Sequence, residues 1–396
     1  MRVLFTTHPA SGHLHPLVPL ARAAGDAGHD VRFAIAGSHV PAVERLGFPA
    51  FSAGADYEDP EVARIKAEAE SHEGLEHAAV AIRDLFAGIL AERMIPDLER
   101  IVAEWRPDLV VAEVTELASL LVARRVGLPR VNILFGLYGA VQALGDVAIQ
   151  GIAPLWLRMG LGPIPDLDFF DTETSLVFAP PGYEIPGVVL PPSATLIRPV
   201  PFDQSGDESL PEWVLRRPRR PLVLATLGTV LNRTPGVLED IARAAGEETL
   251  DLVMTVGRDR DPSSLGPVPG NVRVERYIPF SLLLPHCSAM IAHAGYGTVM
   301  AGLCNGLPML LLPLGADQPL HAARCEALGA AAVIERGALS VAAIREGLGR
   351  ILDDPSLGEH ARAVRGTIEA MPGMDQAVRI LEDRAAKGPS PIGGPA

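Results

Sequence analysis

Short, mainly apolar runs alternate along this chain with longer stretches of helical period. Residues 2–7, 31–35, 109–112 and 131–135 form one set of such runs. Residues 222–226, 252–256, 272–276, 289–292, 309–312 and 331–334 form a second. Their length and lack of alternation predict strands buried on both faces. A helix is predicted from Pro16, suited to a first turn, to about residue 27, where Gly28 and His29 stop it. Amphipathic helical pattern, with polar breaks, covers residues 56–104, and another helix ends at Val126 before Gly127 and Pro129. Helices are also predicted from Pro235 and after residue 334, to about residue 386. Strand, loop, helix and strand within the first thirty-five residues make a βαβ unit, which requires a parallel sheet. Residues 136–171, apolar and rich in Gly and Pro, fit no single element.

A segment dense in proline and charge, residues 199–221, separates the two sets of strands. The expected organisation is α/β: two Rossmann-like parallel-sheet domains, residues 1–205 and 222–386, facing a central cleft. Residues 206–221 form the linker and residues 387–396 a disordered tail. A length of 396 residues suits two domains. A net charge of −14 argues against nucleic acid and anionic membrane as partners. No apolar run approaches a membrane span, and the N-terminus turns polar too early for a signal peptide. Cys287, Cys304 and Cys325 are odd in number and lie in apolar segments, as expected for reduced cysteines of a cytoplasmic protein.

Residues 278–318 hold the densest chemistry. The run 289–292 ends on His293, the turn Ala294-Gly295-Tyr296-Gly297 follows, and Thr298 is expected to open a helix. A helix N-terminus after a glycine turn is an anion seat, because its first N–H groups lack intrahelical partners and the dipole adds positive charge. The run 309–312 then leads to a loop carrying Asp317 and Gln318, a carboxylate and an amide that can hold a polyol. A diphosphate joined to a sugar suits this combination. In open parallel sheets the ligand crevice lies beyond the carboxyl ends of the strands. His13, Glu113, Gly228, His293 and Asp317 all follow predicted strands.

At these residues the chain resembles the GT-B nucleotide-sugar glycosyltransferases, and most of all the bacterial group that decorates macrolides, aromatic polyketides and related natural products. The resemblance covers nearly the whole chain. It rests on Ser11-Gly12-His13-Leu14-His15-Pro16-Leu17, Pro107-Asp108-Leu109-Val110-Val111-Ala112-Glu113, Leu227-Gly228-Thr229, Tyr277-Ile278-Pro279, His293-Ala294-Gly295-Tyr296-Gly297-Thr298 and Asp317-Gln318, in the family's order. It implies an inverting transferase that needs neither metal nor cofactor beyond a TDP- or UDP-linked sugar. The implied partners are that nucleotide sugar and a hydrophobic acceptor; the oligomeric state stays open, a homodimer included.

The resemblance makes His13 the base for the acceptor hydroxyl. Its ordinary pKa near 6.5 suits proton removal at neutral pH. Its orienting carboxylate is expected at Glu113, where the family often has Asp, with Glu116 as the alternative. A histidine alone would more often cap a helix; a matching carboxylate on the same sheet edge favours catalysis. The resemblance assigns the diphosphate to Gly228, Thr229, His293, Gly295, Gly297 and Thr298, the nucleobase to Tyr277 and Ile278, and the sugar hydroxyls to Asp317 and Gln318. His321 stands where the family often has Asn. An apolar acceptor pocket can draw on Phe86, Phe135, Leu137, Tyr138, Trp156, Met159, Phe169 and Phe170, although most such residues in any protein are core.

Four other readings compete. A nicotinamide-dependent oxidoreductase would use Gly295-Tyr296-Gly297, but the third glycine of the fingerprint is missing: position 300 is Met. A metal enzyme would use Asp166-Leu167-Asp168, Asp259-Arg260-Asp261 or the histidines 8, 13 and 15, and none completes a ligand set in sequence. A non-catalytic auxiliary would have lost the base or the phosphate turn. A sugar-nucleotide epimerase would share the fold and the donor but take no acceptor.

Overall fold

The computed structural model describes residues 1–72, 74–135, 138–164, 174–203, 209–216, 220–228, 234–258 and 260–388. The chain divides into two compact units, residues 1–179, 184–198 and 371–396 in the first and residues 180–183 and 199–370 in the second.

In the first unit, β1 (Arg2–Thr6), β2 (Asp30–Ile35), β3 (Ala50–Ser52), β4 (Leu109–Glu113), β5 (Arg130–Leu134), β6 (Ser175–Val177) and β7 (Ala194–Leu196) form one parallel sheet in the order β3-β2-β1-β4-β5-β6-β7. β4 and β5 are buried along their whole length, the polar side chains of Glu113, Arg130 and Asn132 included. The strand order reverses between β1 and β4, which makes their carboxyl ends the switch point of the sheet. Thr6 pairs with Ala112 there, so the loops after both strands leave the sheet side by side.

The second unit repeats the plan. β8 (Leu222–Thr226), β9 (Asp251–Thr255), β10 (Val272–Glu275), β11 (Ala289–Ala292), β12 (Met309–Leu311) and β13 (Ala331–Val333) are all parallel, in the order β10-β9-β8-β11-β12-β13. The switch point lies between β8 and β11, where Thr226 pairs with Ala292. Gly228 and His293 therefore follow neighbouring strand ends.

The helical stretch between β3 and β4 is more irregular than its sequence pattern. Helices Pro60–Glu70 and Gly74–Val80 lead into a π-helical segment, Ala81–Leu90, and then Ala91–Trp105. Helix Tyr138–Arg158 fills part of the region that the sequence left unassigned. It crosses the π-helical segment at Gly151, where a methyl group would fall 2.4 Å from the Arg83 carbonyl oxygen.

The unit boundaries also differ from the sequence reading. The first unit stops at residue 198 before resuming at 371, and helix Met374–Ala386 belongs to it, not to the second. That helix buries Ala377, Val378 and Leu381, packs on helix Val18–Asp26 and reaches β4 and β5. The expected linker contains a short helix, Glu212–Arg216, and the expected tail lies outside the described residues beyond residue 388. Among the described residues no helix is long and apolar enough to cross a membrane.

Candidate active site

The loop after β1 turns into a helical run: Ser11–Leu14, a tighter turn His15–Leu17, then Val18–Asp26. His13 lies in its first turn and is 19% exposed. Its Nδ1 is 3.0 Å from Oε1 of Glu113, the last residue of β4, which is completely buried. Thr115 clamps the same carboxylate, its backbone N–H donating to Oε2 at 2.7 Å and its hydroxyl lying 2.8 and 2.9 Å from the two oxygens. Burial raises the Glu113 pKa, but the His13 imidazole, the His8 imidazole and the Thr115 N–H together outweigh it and bring it down to about 2. Glu113 is thus ionised at neutral pH. A carboxylate can only accept, so Nδ1 of His13 carries a proton, which in the neutral ring leaves the lone pair on Nε2.

Glu116, the alternative partner, is occupied elsewhere. Its Oε2 accepts from the Thr6 hydroxyl at 2.6 Å and its Oε1 from the Ser119 N–H at 3.0 Å, at the start of helix Ala118–Val126. His8, which the sequence raised only as a metal candidate, also belongs to this cluster. It is 3% exposed, and its Nε2 lies 3.1 Å from the Thr115 carbonyl and 3.7 Å from Glu113 Oε1. Burial lowers its pKa despite the nearby carboxylate, which keeps it neutral beside Glu113. Thr115 could have been noticed in sequence, two residues beyond the carboxylate; nothing in the sequence tied His8 to Glu113.

In the second unit the helix after β11 begins earlier than expected. It runs Tyr296–Cys304 with Gly295 as its N-cap, so Gly297 lies inside the first turn and not in the preceding loop. The reversal happens at Ala294, which is buried and adopts φ +64°, a conformation costly for any residue with a Cβ. Thr298 and Val299 both donate to the Gly295 carbonyl, each at 3.0 Å. Helix geometry leaves the Gly297 N–H without an intrahelical acceptor, and the space beside its Cα is open to 4 Å. Thr298 is buried.

His293 lies in a slot between two glycines. A methyl at Gly228, where φ is +70°, would fall 2.5 Å from its Cε1, and one at Gly295 would fall 2.5 Å from its Nε2. Burial pushes the His293 pKa down to about 4, so the ring is neutral at physiological pH. Among the described residues its buried Nδ1 has no hydrogen-bond partner, an uncommon state that a ligand atom could relieve. Thr229 lies outside the described residues.

Asp317 precedes helix Gln318–Ala327 and is 58% exposed, with Oδ2 3.1 Å from Nε2 of His321. Gln318 is buried, its Oε1 accepting from Leu314 N–H at 2.8 Å and Gly315 N–H at 3.2 Å. Its amide nitrogen therefore faces away from those bonds. Tyr277 is half-buried, its hydroxyl donating to the Asp203 carbonyl and its ring lying 3.8 Å below the Arg258 guanidinium. Ile278 is 2% exposed, which leaves its backbone as the part available to a ligand.

Of the apolar candidates, Phe86 and Phe135 have ring centroids 5.6 and 5.9 Å from that of His13. Trp156 is placed otherwise: it is 2% exposed and packs in the core with Ile152, Leu155 and Met94, Met159 lying against the same cluster. Residue 138 begins a helix, and residues 137, 169 and 170 lie outside the described residues. So do Asp166, Asp168 and Asp259, while Asp261 caps a turn by accepting from Ser263 N–H at 3.0 Å. Among the described residues no three His, Cys, Asp or Glu side chains are grouped to hold a metal ion.

Known proteins carry the same organisation. The family described as Erythromycin biosynthesis protein CIII-like matches at residues 22–147 with its N-terminal domain and at residues 239–383 with its C-terminal domain. Elloramycin glycosyltransferase ElmGT of Streptomyces olivaceus is 32% identical, over 96% of this chain and 97% of its own length. L-demethylnoviosyl transferase of Streptomyces niveus is 33% identical, over 83% of this chain and 84% of its own. The crystal structure of glycosyltransferase VinC in complex with DTDP matches with a TM-score of 0.80 at 29% identity, covering 98% of this chain and all of that one (100%). Two parallel sheets with their loops at matching switch points, together with this similarity over both halves, place the chain in the Erythromycin biosynthesis protein CIII-like family, as a glycosyltransferase of GT-B fold.

Proposed function

We propose that this glycosyltransferase moves a sugar from a TDP-sugar to a hydroxyl of an apolar natural-product acceptor, with inversion and without a metal ion. The observation that carries the reading is the 3.0 Å contact between His13 Nδ1 and the buried, ionised Glu113. It supports a base whose Nε2 takes the acceptor proton while Glu113 balances the imidazolium that forms. Such a base is worth about 10²–10⁴ in rate. The acceptor oxygen then bonds to the anomeric carbon as the bond from that carbon to the diphosphate oxygen breaks, on the opposite face, which inverts the centre. The proton stays on His13 until solvent removes it, and TDP leaves with the electron pair.

Charge growing on the diphosphate would meet the helix N-terminus at Gly297 and Thr298, the Gly228 turn and neutral His293, which offers a hydrogen bond and not a full charge. One preorganised donor of this kind contributes about 3 kcal/mol. The choice of thymidine draws on the nucleotide held by VinC. Phe86 and Phe135 beside His13 supply apolar surface for the acceptor.

The test is a thermal-shift series with TDP, UDP, GDP, ADP and NAD, followed by product analysis with a TDP-sugar and polyketide aglycones in excess chelator. TDP alone should stabilise the protein, and transfer should persist in chelator. Stabilisation by NAD alone, or transfer lost in chelator and restored by manganese, would overturn the reading. Turnover of the TDP-sugar without any acceptor would favour an epimerase.

A further inference from the structure

Asp317 occupies the N-cap position of helix Gln318–Ala327 yet makes no side-chain cap bond. An aspartate there ordinarily accepts hydrogen bonds from the N–H groups of the first turn. Here Oδ2 lies 3.1 Å from Nε2 of His321, one helical turn on. His321 is 1% exposed although Asp317 is 58% exposed, so a surface carboxylate is tied from beneath. On the far side of the ring, Nδ1 is 2.8 Å from the hydroxyl of Tyr183, which is completely buried and belongs to the same unit.

The Asp317 carboxylate only accepts, so His321 Nε2 carries a proton. On the other side Nδ1 meets the Tyr183 hydroxyl, which burial keeps protonated. Tyr183 and Tyr296 hold the ring in place, each with its centroid 5.9 Å away. Just before Asp317 the backbone turns at Ala316, with φ +53°. The Asp317 carboxylate is therefore held by His321, a buried side chain one turn into the same helix, which Tyr183 backs from its far side.

We propose that His321 and Tyr183 are positioning residues for the donor sugar: they hold the Asp317 carboxylate in the orientation that accepts a sugar hydroxyl. This rests on the proposed function together with the assignment of Asp317 to the sugar hydroxyls that the family resemblance implies. Neither residue touches the nucleotide in this reading, so their loss should weaken the grip on the sugar and leave that on the diphosphate intact.

The experiment is calorimetric titration of the full chain with TDP and with TDP-glucose, TDP-galactose and TDP-rhamnose. The readout is the ratio of Kd for TDP to Kd for the tightest TDP-sugar. His321→Leu should lower that ratio about tenfold, the value of one charge-assisted bond, with Kd for TDP unchanged. Tyr183→Phe, which removes one oxygen and keeps the packing, should lower it less. His321→Gln, whose amide N–H can reach Asp317, should restore most of it. A ratio unmoved in both His321→Leu and Tyr183→Phe overturns the proposal. So does a parallel loss of TDP affinity in Tyr183→Phe, which would mean a structural role. Wild-type protein that binds TDP but no TDP-sugar more tightly also overturns it. Failure to bind TDP at all would instead strike the proposed function.

Discussion

Replacing Glu113 by glutamine changes one atom in a completely buried position and gives a sharp test of the dyad. The Thr115 N–H donates to Oε2 at 2.7 Å, while the Thr115 hydroxyl lies 2.8 and 2.9 Å from the two oxygens, so the N–H should draw the amide oxygen of the variant to the Oε2 place. The amide nitrogen then replaces Oε1, 3.0 Å from His13 Nδ1. Two N–H groups cannot face each other, so Nδ1 must become the acceptor and the ring proton moves to Nε2. The base is then lost in its resting tautomer, and the imidazolium of the transition state loses its counter-charge. A fall in kcat of about 10³–10⁴ is expected, or about 4–5 kcal/mol of transition-state stabilisation. Kd for TDP should stay as in wild type, since no residue assigned to the nucleotide belongs to this unit. Initial rates by product chromatography and calorimetry with TDP measure the two quantities. A Glu113→Gln enzyme within about tenfold of wild-type kcat would refute the tautomer argument. Stability gives an independent check. Glu113 has its pKa depressed from 4.5 to about 2, so its ionisation stabilises the fold above about pH 4.5 by roughly 3 kcal/mol, lost as pH falls toward 2. The variant should lack that part of the acid dependence in urea titrations.

Three further outcomes are expected. His293 titrates near 4 in the fold against 6.5 when unfolded, so the unfolded chain binds the extra proton between those values and stability falls by up to roughly 3 kcal/mol as pH drops from 6.5 to 4. His293→Asn should flatten that slope in urea midpoints taken across this range, and an unchanged slope would contradict the burial argument. Gly295→Ala places a methyl 2.5 Å from the His293 ring and should weaken TDP binding about tenfold with circular dichroism unchanged; equal affinity would free the diphosphate seat from dependence on that ring. Trp156→Ala should cost about 3–5 kcal/mol of stability, as a core truncation, whereas Phe86→Ala should act mainly on KM for the acceptor. The reverse pattern, read from melting curves and kinetics, would return Trp156 to the pocket.

Much of the architecture is determined locally. The runs at β8 and β11 coincide with the observed strands, Leu222–Thr226 and Ala289–Ala292, because a strand buried on both faces is apolar at most positions. Strand–helix alternation dictates parallel sheets, and the loops at strand ends carry the residues named from the sequence. Local pattern is weaker where neighbouring elements compete. Glycines at 295 and 297 read as one turn, but the φ +64° of Ala294 completes the reversal and lets the helix start at Tyr296. The π-helical segment and the crossing at Gly151 depend on a helix partner about seventy residues away. Tertiary structure alone decided that Glu113 and not Glu116 meets His13, since both are buried acids at the end of β4 and differ only in which distant group each reaches. It alone sent Trp156 to the core, brought the last helix to the first unit and placed His8 and Tyr183 behind the working residues. The physical reason is that hydrophobic period fixes which face is buried, whereas partnership across a hundred residues follows from strand order and side-chain packing, which no local pattern encodes.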